Sequence, residues 1–83
     1  PNPFNPSTNI SYDINNNENI TIVIYDLKGN YINTLVNMKQ TPGLYSVNWY
    51  GDNIHGEFVS AGIYIYSLSN GIHRQSKKMI LLK

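Results

Sequence analysis

The sequence predicts an all-β domain, a small sandwich or barrel built from six or seven short strands. Three observations carry that prediction. Apolar residues recur with a period of two along most of the chain, while the helical spacing of i, i+3, i+4 and i+7 is nearly absent. The alternating runs are filled with β-branched and aromatic residues, including seven tyrosines and one tryptophan, which suit a pleated and half-buried surface. Glycine, proline and asparagine break the runs at intervals of about 8–12 residues, the rhythm of an antiparallel sandwich.

Each element can be justified in turn. Ile10, Tyr12 and Ile14 share one face of a first strand, and the polar run "NNNEN" turns the chain. Ile20, Ile22 and Ile24 share one face of a second. "DLKGN" then places Gly29 where a hairpin turn needs positive φ. "YINTLV" reads as a third strand with Ile32 and Leu35 inward, closed by the proline–glycine turn "QTPG" with Gly43. Tyr45, Val47 and Trp49 make a fourth, followed by the longer polar loop "GDNIHGE" bounded by Gly51 and Gly56. After Gly62, Tyr64, Tyr66 and Leu68 make another strand; "SNG" is a tight turn, and Met79 and Leu81 lie on the last. A lone sheet of this size exposes one apolar side, so two layers are needed. "ITIVIY", "GIYIYSL" and "MILL" are apolar on both parities. Such strands are either central or covered on their outer face by something beyond these residues.

The remaining composition bounds the function. With 83 residues the chain is one domain, small enough that its stability is marginal. There are no cysteines, so packing alone must hold it, and thiolate or zinc–cysteine chemistry is ruled out. A net charge of +1 makes no case for nucleic acid. Four of the six basic residues, Arg74, Lys77, Lys78 and Lys83, fall in the last ten positions, which hold no acid. No apolar run approaches the roughly 18 residues of a membrane span. The chain has neither an initiator methionine nor a signal-peptide pattern, so it reads as an excerpt from the end of something larger. Residues 1–7 form a proline-rich lead-in to a sandwich over 8–83. Proline fixes φ, donates no hydrogen bond and biases the preceding residue toward extended geometry. "PNPFNP" is therefore a stiff arm, suited to a linker, a spacer or the blunting of a sheet edge, with Phe4 its one apolar anchor.

Enzymatic candidates are sparse. His55 and His73 have no metal-ligand spacing and read as surface residues, and no serine sits in a nucleophile elbow. The five acids, Asp13, Glu18, Asp26, Asp52 and Glu57, are scattered over turns, so neither an enzyme nor a cofactor is expected. Asp52, Asn53 and Glu57 cluster around Gly56 as oxygen donors for calcium or as a solvated turn, and the second is the plainer reading. Exposed tyrosines would suit a sugar, with Tyr31 and Tyr50 the candidates. Tyr12, Tyr45, Tyr64 and Tyr66 keep step with strands and belong in a core. The stretch "RQSKKMILLK" is a last strand with a basic solvated face, or a terminal recognition tag.

Four stretches then fit one family in the right order: "PNPFNPSTNISYDI", "VIYDLKGNYINTLV", "PGLYSVNWYGDNIHGEFVSAGIYIYSL" and "KKMILLK". Together they resemble the type A C-terminal sorting domains of bacterial type IX secretion cargo. They are also similar to the immunoglobulin-like module of flagellar hook-capping proteins. The resemblance implies an immunoglobulin-like antiparallel sandwich of about seven strands. It further implies an address label on an upstream passenger, read by the secretion machinery in the periplasm and removed by a sortase-like peptidase. The cargo would then reach the cell surface or the medium, and the domain would act as a monomer. The family's first motif falls on Pro1, Asn2, Pro3, Phe4, Asn5 and Pro6, its glycines on Gly43, Gly51, Gly56 and Gly62, and its last motif on Lys78, Met79, Leu81, Leu82 and Lys83. The family often has aspartate directly after the tryptophan, where this chain has Tyr50. A structural spacer or assembly module and a carbohydrate-binding appendage are the alternatives.

Overall fold

The computed structural model describes residues 7–82. Six strands follow one another in sequence: β1 (Thr8–Ile14), β2 (Glu18–Asp26), β3 (Tyr31–Gln40), β4 (Gly43–Trp49), β5 (Gly62–Ser69) and β6 (Arg74–Leu81). β1 and β4 pair as a two-stranded antiparallel sheet, and the other four form a second sheet in the order β3-β2-β5-β6. The all-β sandwich is as the sequence predicts, with six strands in place of about seven. Between β4 and β5 the polar loop folds back on itself, pinned by an isolated bridge between Asp52 and Phe58.

The core sits between the two sheets. Ile10 and Ile14 of β1 and Trp49 of β4 face Ile20, Ile22 and Ile24 of β2, Tyr64 of β5, and Met79 and Leu81 of β6. Every one of these lies on the alternating parity read from the sequence. Trp49, Ile22 and Ile24 are fully buried, each stabilising the fold by about 1.5–3 kcal/mol through removal of apolar surface from water.

The order of the large sheet explains two of the three runs that are apolar on both parities. β2 and β5 are its central strands, and their outward Val23, Tyr25 and Ile65 are half-buried between neighbours. "MILL" differs. It falls at the end of the edge strand β6, where Met79 and Leu81 are buried while Ile80 is 59% exposed and Leu82, just past the strand, 73%.

β3 departs from simple alternation. Ile22 pairs with Val36 and Val23 with Thr34, so Leu35 has no opposite residue; Ile24 pairs with Asn33 and Tyr25 with Tyr31, so Ile32 has none either. Two β-bulges thus explain why the inward residues Ile32 and Leu35 have opposite parity. The strand also runs past the expected end of "YINTLV" to Gln40.

Candidate functional site

The stretch between β4 and β5 gathers most of the residues the sequence marks as candidates, and its geometry starts from Gly51. This glycine is buried with φ at +73°, and a Cβ here would stand 2.8 Å from Leu81 Cδ2. Only glycine accepts both the left-handed backbone and the close approach. The Gly51 carbonyl accepts from Val59 N at 2.8 Å, closing the loop on itself. Next to it, the Asp52 carbonyl accepts from Trp49 Nε1 at 2.9 Å and from Asn33 Nδ2 at 3.1 Å, which satisfies the buried indole. Ile54 N donates to the carbonyl of the bulged Ile32 at 2.9 Å, so the loop also covers part of the β3 edge.

Asn53 holds the loop's tip. Its Oδ1 accepts from His55 N at 2.9 Å and Glu57 N at 3.0 Å, while its Nδ2 donates to Glu57 Oε1 at 3.1 Å. The oxygens of Asn53 and Glu57 weighed for calcium are therefore engaged in the turn itself. No group of three or more His, Asp or Glu side chains comes together among the described residues. His55 and His73 are both exposed.

A second pattern escaped the sequence reading. "TPGLY" and "SAGIY" are two copies of one turn: a hydroxyl residue, a spacer, a glycine that opens a strand, an aliphatic residue and a tyrosine. In each, the tyrosine hydroxyl donates to the backbone carbonyl four residues earlier. Tyr45 reaches Thr41 O at 2.7 Å, and Tyr64 reaches Ser60 O. The signal was there as an internal repeat of five residues. This is the logic of the tyrosine corner seen in immunoglobulin-like sandwiches. Tyr64 also packs edge-on against Trp49 with ring centres 4.9 Å apart, and Tyr45 stacks on Tyr12 at 5.5 Å.

Asp26 performs the equivalent task at the "DLKGN" hairpin, where Gly29 has φ at +87°. Its carboxylate accepts from Lys28 N, Asn30 N and Asn30 Nδ2, all at 2.9 Å. The hydrogen bond from the Asn30 side chain, followed by that from its backbone, holds the Asp26 carboxyl below its ordinary value.

The remaining candidates are dispersed. Of the terminal motif, Met79 and Leu81 are core residues, while Lys78 and Leu82 face solvent. Pro1, Asn2, Pro3, Phe4, Asn5, Pro6 and Lys83 lie outside the described residues. Tyr31, on β3, is tied to Thr34 through their hydroxyls at 2.7 Å, and Tyr50 follows β4, so the two exposed tyrosines belong to different sheets and make no common platform. Two concave surfaces among the described residues are an open groove along Ser11, Asp13, Leu44 and Ser46, and a cleft of about 190 Å³ beside Tyr12, Glu18, His73 and Arg74.

The FlgD Ig-like domain family matches residues 5–71 of the chain. This chain belongs to the FlgD Ig-like domain family. The match spans the lead-in from Asn5, the first five strands and the loop between β4 and β5, and it ends before β6. A crystal structure of FlgD from P. aeruginosa is similar over 90% of this Ig-like domain, with a TM-score of 0.70 and 21% sequence identity. The chain spans 58% of that protein's length, and at this identity the likeness shows the fold alone. No protein of curated function matches. Of the two families the sequence resembles, both findings fall on the hook-capping Ig-like module.

Proposed function

We propose that this chain is a structural, non-catalytic immunoglobulin-like module that spaces or docks other parts of a larger protein. One observation carries the reading: the side chains with chemistry to offer are used to build the frame. Asp26 caps a hairpin, Asn53 holds the loop tip, and the Tyr45 and Tyr64 hydroxyls lock the starts of two strands. What remains exposed is surface. Membership of the FlgD Ig-like family supports the same reading, since the sequence resembles the hook-capping module across that region.

The second reading is the sorting signal, in which type IX machinery recognises the domain in the periplasm and a sortase-like peptidase releases the passenger. It is favoured by "KKMILLK", which falls beyond the family match and of which Lys77, Lys78, Met79, Ile80 and Leu81 lie on β6. Against it, Met79 and Leu81 of that motif are core residues, so the fold already accounts for them.

One experiment separates the two. The chain is fused behind a fluorescent reporter that carries an export signal, in a type IX-competent host. Reporter held in the periplasm is the expected result. Reporter outside the cell, lost when the chain is exchanged for an unrelated immunoglobulin-like sandwich, overturns the spacer reading in favour of sorting.

A further inference from the structure

The outer face of the two-stranded sheet is a polar ladder. Side chains alternate between the faces of a strand, and Ile10, Ile14 and Trp49 point into the core. Asn9, Ser11 and Asp13 of β1 and Leu44, Ser46 and Asn48 of β4 therefore point away from it, and all are exposed. Register sets Asn9 opposite Asn48, Ser11 opposite Ser46 and Asp13 opposite Leu44, so each pair stands side by side on that face. The open groove runs along the same residues.

This face differs from an ordinary wetted one in order, in unused capacity and in charge. Its side chains are held: Ser11 Oγ donates to Asn9 Oδ1 at 3.0 Å, and Asn9 Nδ2 donates across the strands to Asn48 Oδ1 at 2.9 Å. Asn48 Nδ2 lies 3.5 Å from the Tyr50 hydroxyl, which brings that ring onto the face as well. Behind the ladder the stacked rings of Tyr12 and Tyr45 stiffen the ribbon. An amide has two N–H donors and two carbonyl lone pairs, so Asn9 and Asn48 each keep a donor and an acceptor for a ligand. Neither strand contains a lysine or an arginine, and Asp13 is the one acid of the two.

Paired donors and acceptors with no cation suit neighbouring hydroxyls, each of which both donates and accepts, and do not suit phosphate or sulfate. Tyr50, 51% exposed, offers an aromatic surface to the C–H face of a sugar ring, and Leu44, 85% exposed, offers an apolar contact at the other end. Six residue steps of about 3.4 Å put the two about 20 Å apart, a span for several rings in a row. A peptide strand would instead pair main chain to main chain along a free strand edge.

We propose that this face binds a neutral oligosaccharide lying along the strands, one ring stacked on Tyr50 and the hydroxyls bonded to Asn9, Asn48, Ser11 and Asp13. Side chains already fixed lose little freedom on binding, while the shallow groove keeps the affinity modest.

The test is an amide NMR titration of the full 83-residue chain with cellohexaose, xylohexaose and mannohexaose. At least one of them should shift the amides of Asn9, Ser46 and Asn48 with a Kd of about 1 mM or tighter. The constant should be the same in low and high salt, because no ion pair forms. Tyr50→Ala and Asn48→Ala should each weaken binding about tenfold, the loss of one stacked ring or one hydrogen-bonding amide. Tyr50→Phe keeps the stack and should bind nearly as well. Tyr31→Ala, at an exposed tyrosine on the other sheet, should change nothing. The altered positions are exposed, and the same spectra verify each fold. No shift at these amides with any of the three sugars at about 10 mM, ten times that constant, overturns the proposal. Binding that Tyr50→Ala leaves intact, or that high salt abolishes, overturns it too. Each of these outcomes leaves the spacer reading standing, since a spacer needs no ligand.

Discussion

Two turns in this protein are written almost identically and packed differently. Thr41-Pro42-Gly43-Leu44-Tyr45 opens β4, and Ser60-Ala61-Gly62-Ile63-Tyr64 opens β5. Both tyrosines return a hydroxyl to the carbonyl four residues back. Yet Tyr64 is only 7% exposed and leans edge-on against a fully buried tryptophan, while Tyr45 is half-buried and stacks on Tyr12, whose own hydroxyl reaches out to Gln40. The difference follows from where each strand stands. β5 is central in the four-stranded sheet and β4 is half of a two-stranded one. The turn sets how a strand enters its sheet. The sheet sets how much the tyrosine contributes to stability.

The comparison can be broken most directly by truncation. Tyr64→Ala should destabilise the domain by about 3–5 kcal/mol, the range for deleting a large buried aromatic, and Tyr45→Ala by about 1–2 kcal/mol. Urea unfolding followed by Trp49 fluorescence measures both. Equal losses would show that the turn, and not the sheet, decides. For a domain this small the larger loss is close to its whole stability, so Tyr64→Leu serves as the milder variant.

Removing only the hydroxyls sharpens the contrast. Tyr64→Phe leaves the Ser60 carbonyl without its donor in a part-buried setting and should cost about 1–2 kcal/mol. Thr41 O is exposed and water can replace the phenol there, so Tyr45→Phe should cost about 0.5 kcal/mol. A difference in the reverse order would sink the argument from depth.

The smallest effect is one of pH. Burial, and then the charge of Asp26, raises the Tyr64 phenol above its ordinary value of 10.0. The folded state therefore keeps the neutral phenol longer than the unfolded chain does. That contribution is fully present below the unfolded value and is lost as pH rises through the folded one. The stability gap between wild type and Tyr64→Phe should narrow as urea midpoints are taken from pH 9 to 11, a window bracketing the usual tyrosine range. A gap that widens would contradict the direction of the shift.

How legible this was in the sequence depended on the range of the interactions involved. The parity of β1, β2, β5 and β6 was readable because one neighbour-to-neighbour rule places Ile10, Ile22, Tyr64 and Leu81 inward. β3 resisted, since its bulges at Leu35 and Ile32 exist only relative to β2 and leave no local mark. The stretch between β4 and β5 was legible as a polar loop, but the hydrogen bonds by which Asn53 closes its tip were not. The repeated tyrosine turn is legible as a five-residue repeat, but alternation alone places each tyrosine in the core and hides the task of its hydroxyl. Of the site, the sequence placed Asp52, Asn53 and Glu57 in one loop correctly; it could not reveal that their neighbours Ile54 and Phe58 stand exposed together, a property of the folded surface.

The seat that Gly51 leaves for Leu81 has a temporal meaning. β6 is the last of the six strands to be synthesised, and Leu81 is its final residue. Until that side chain is in place the niche beside Gly51 stands open, so a variant cut before Leu81 would leave part of the core facing water.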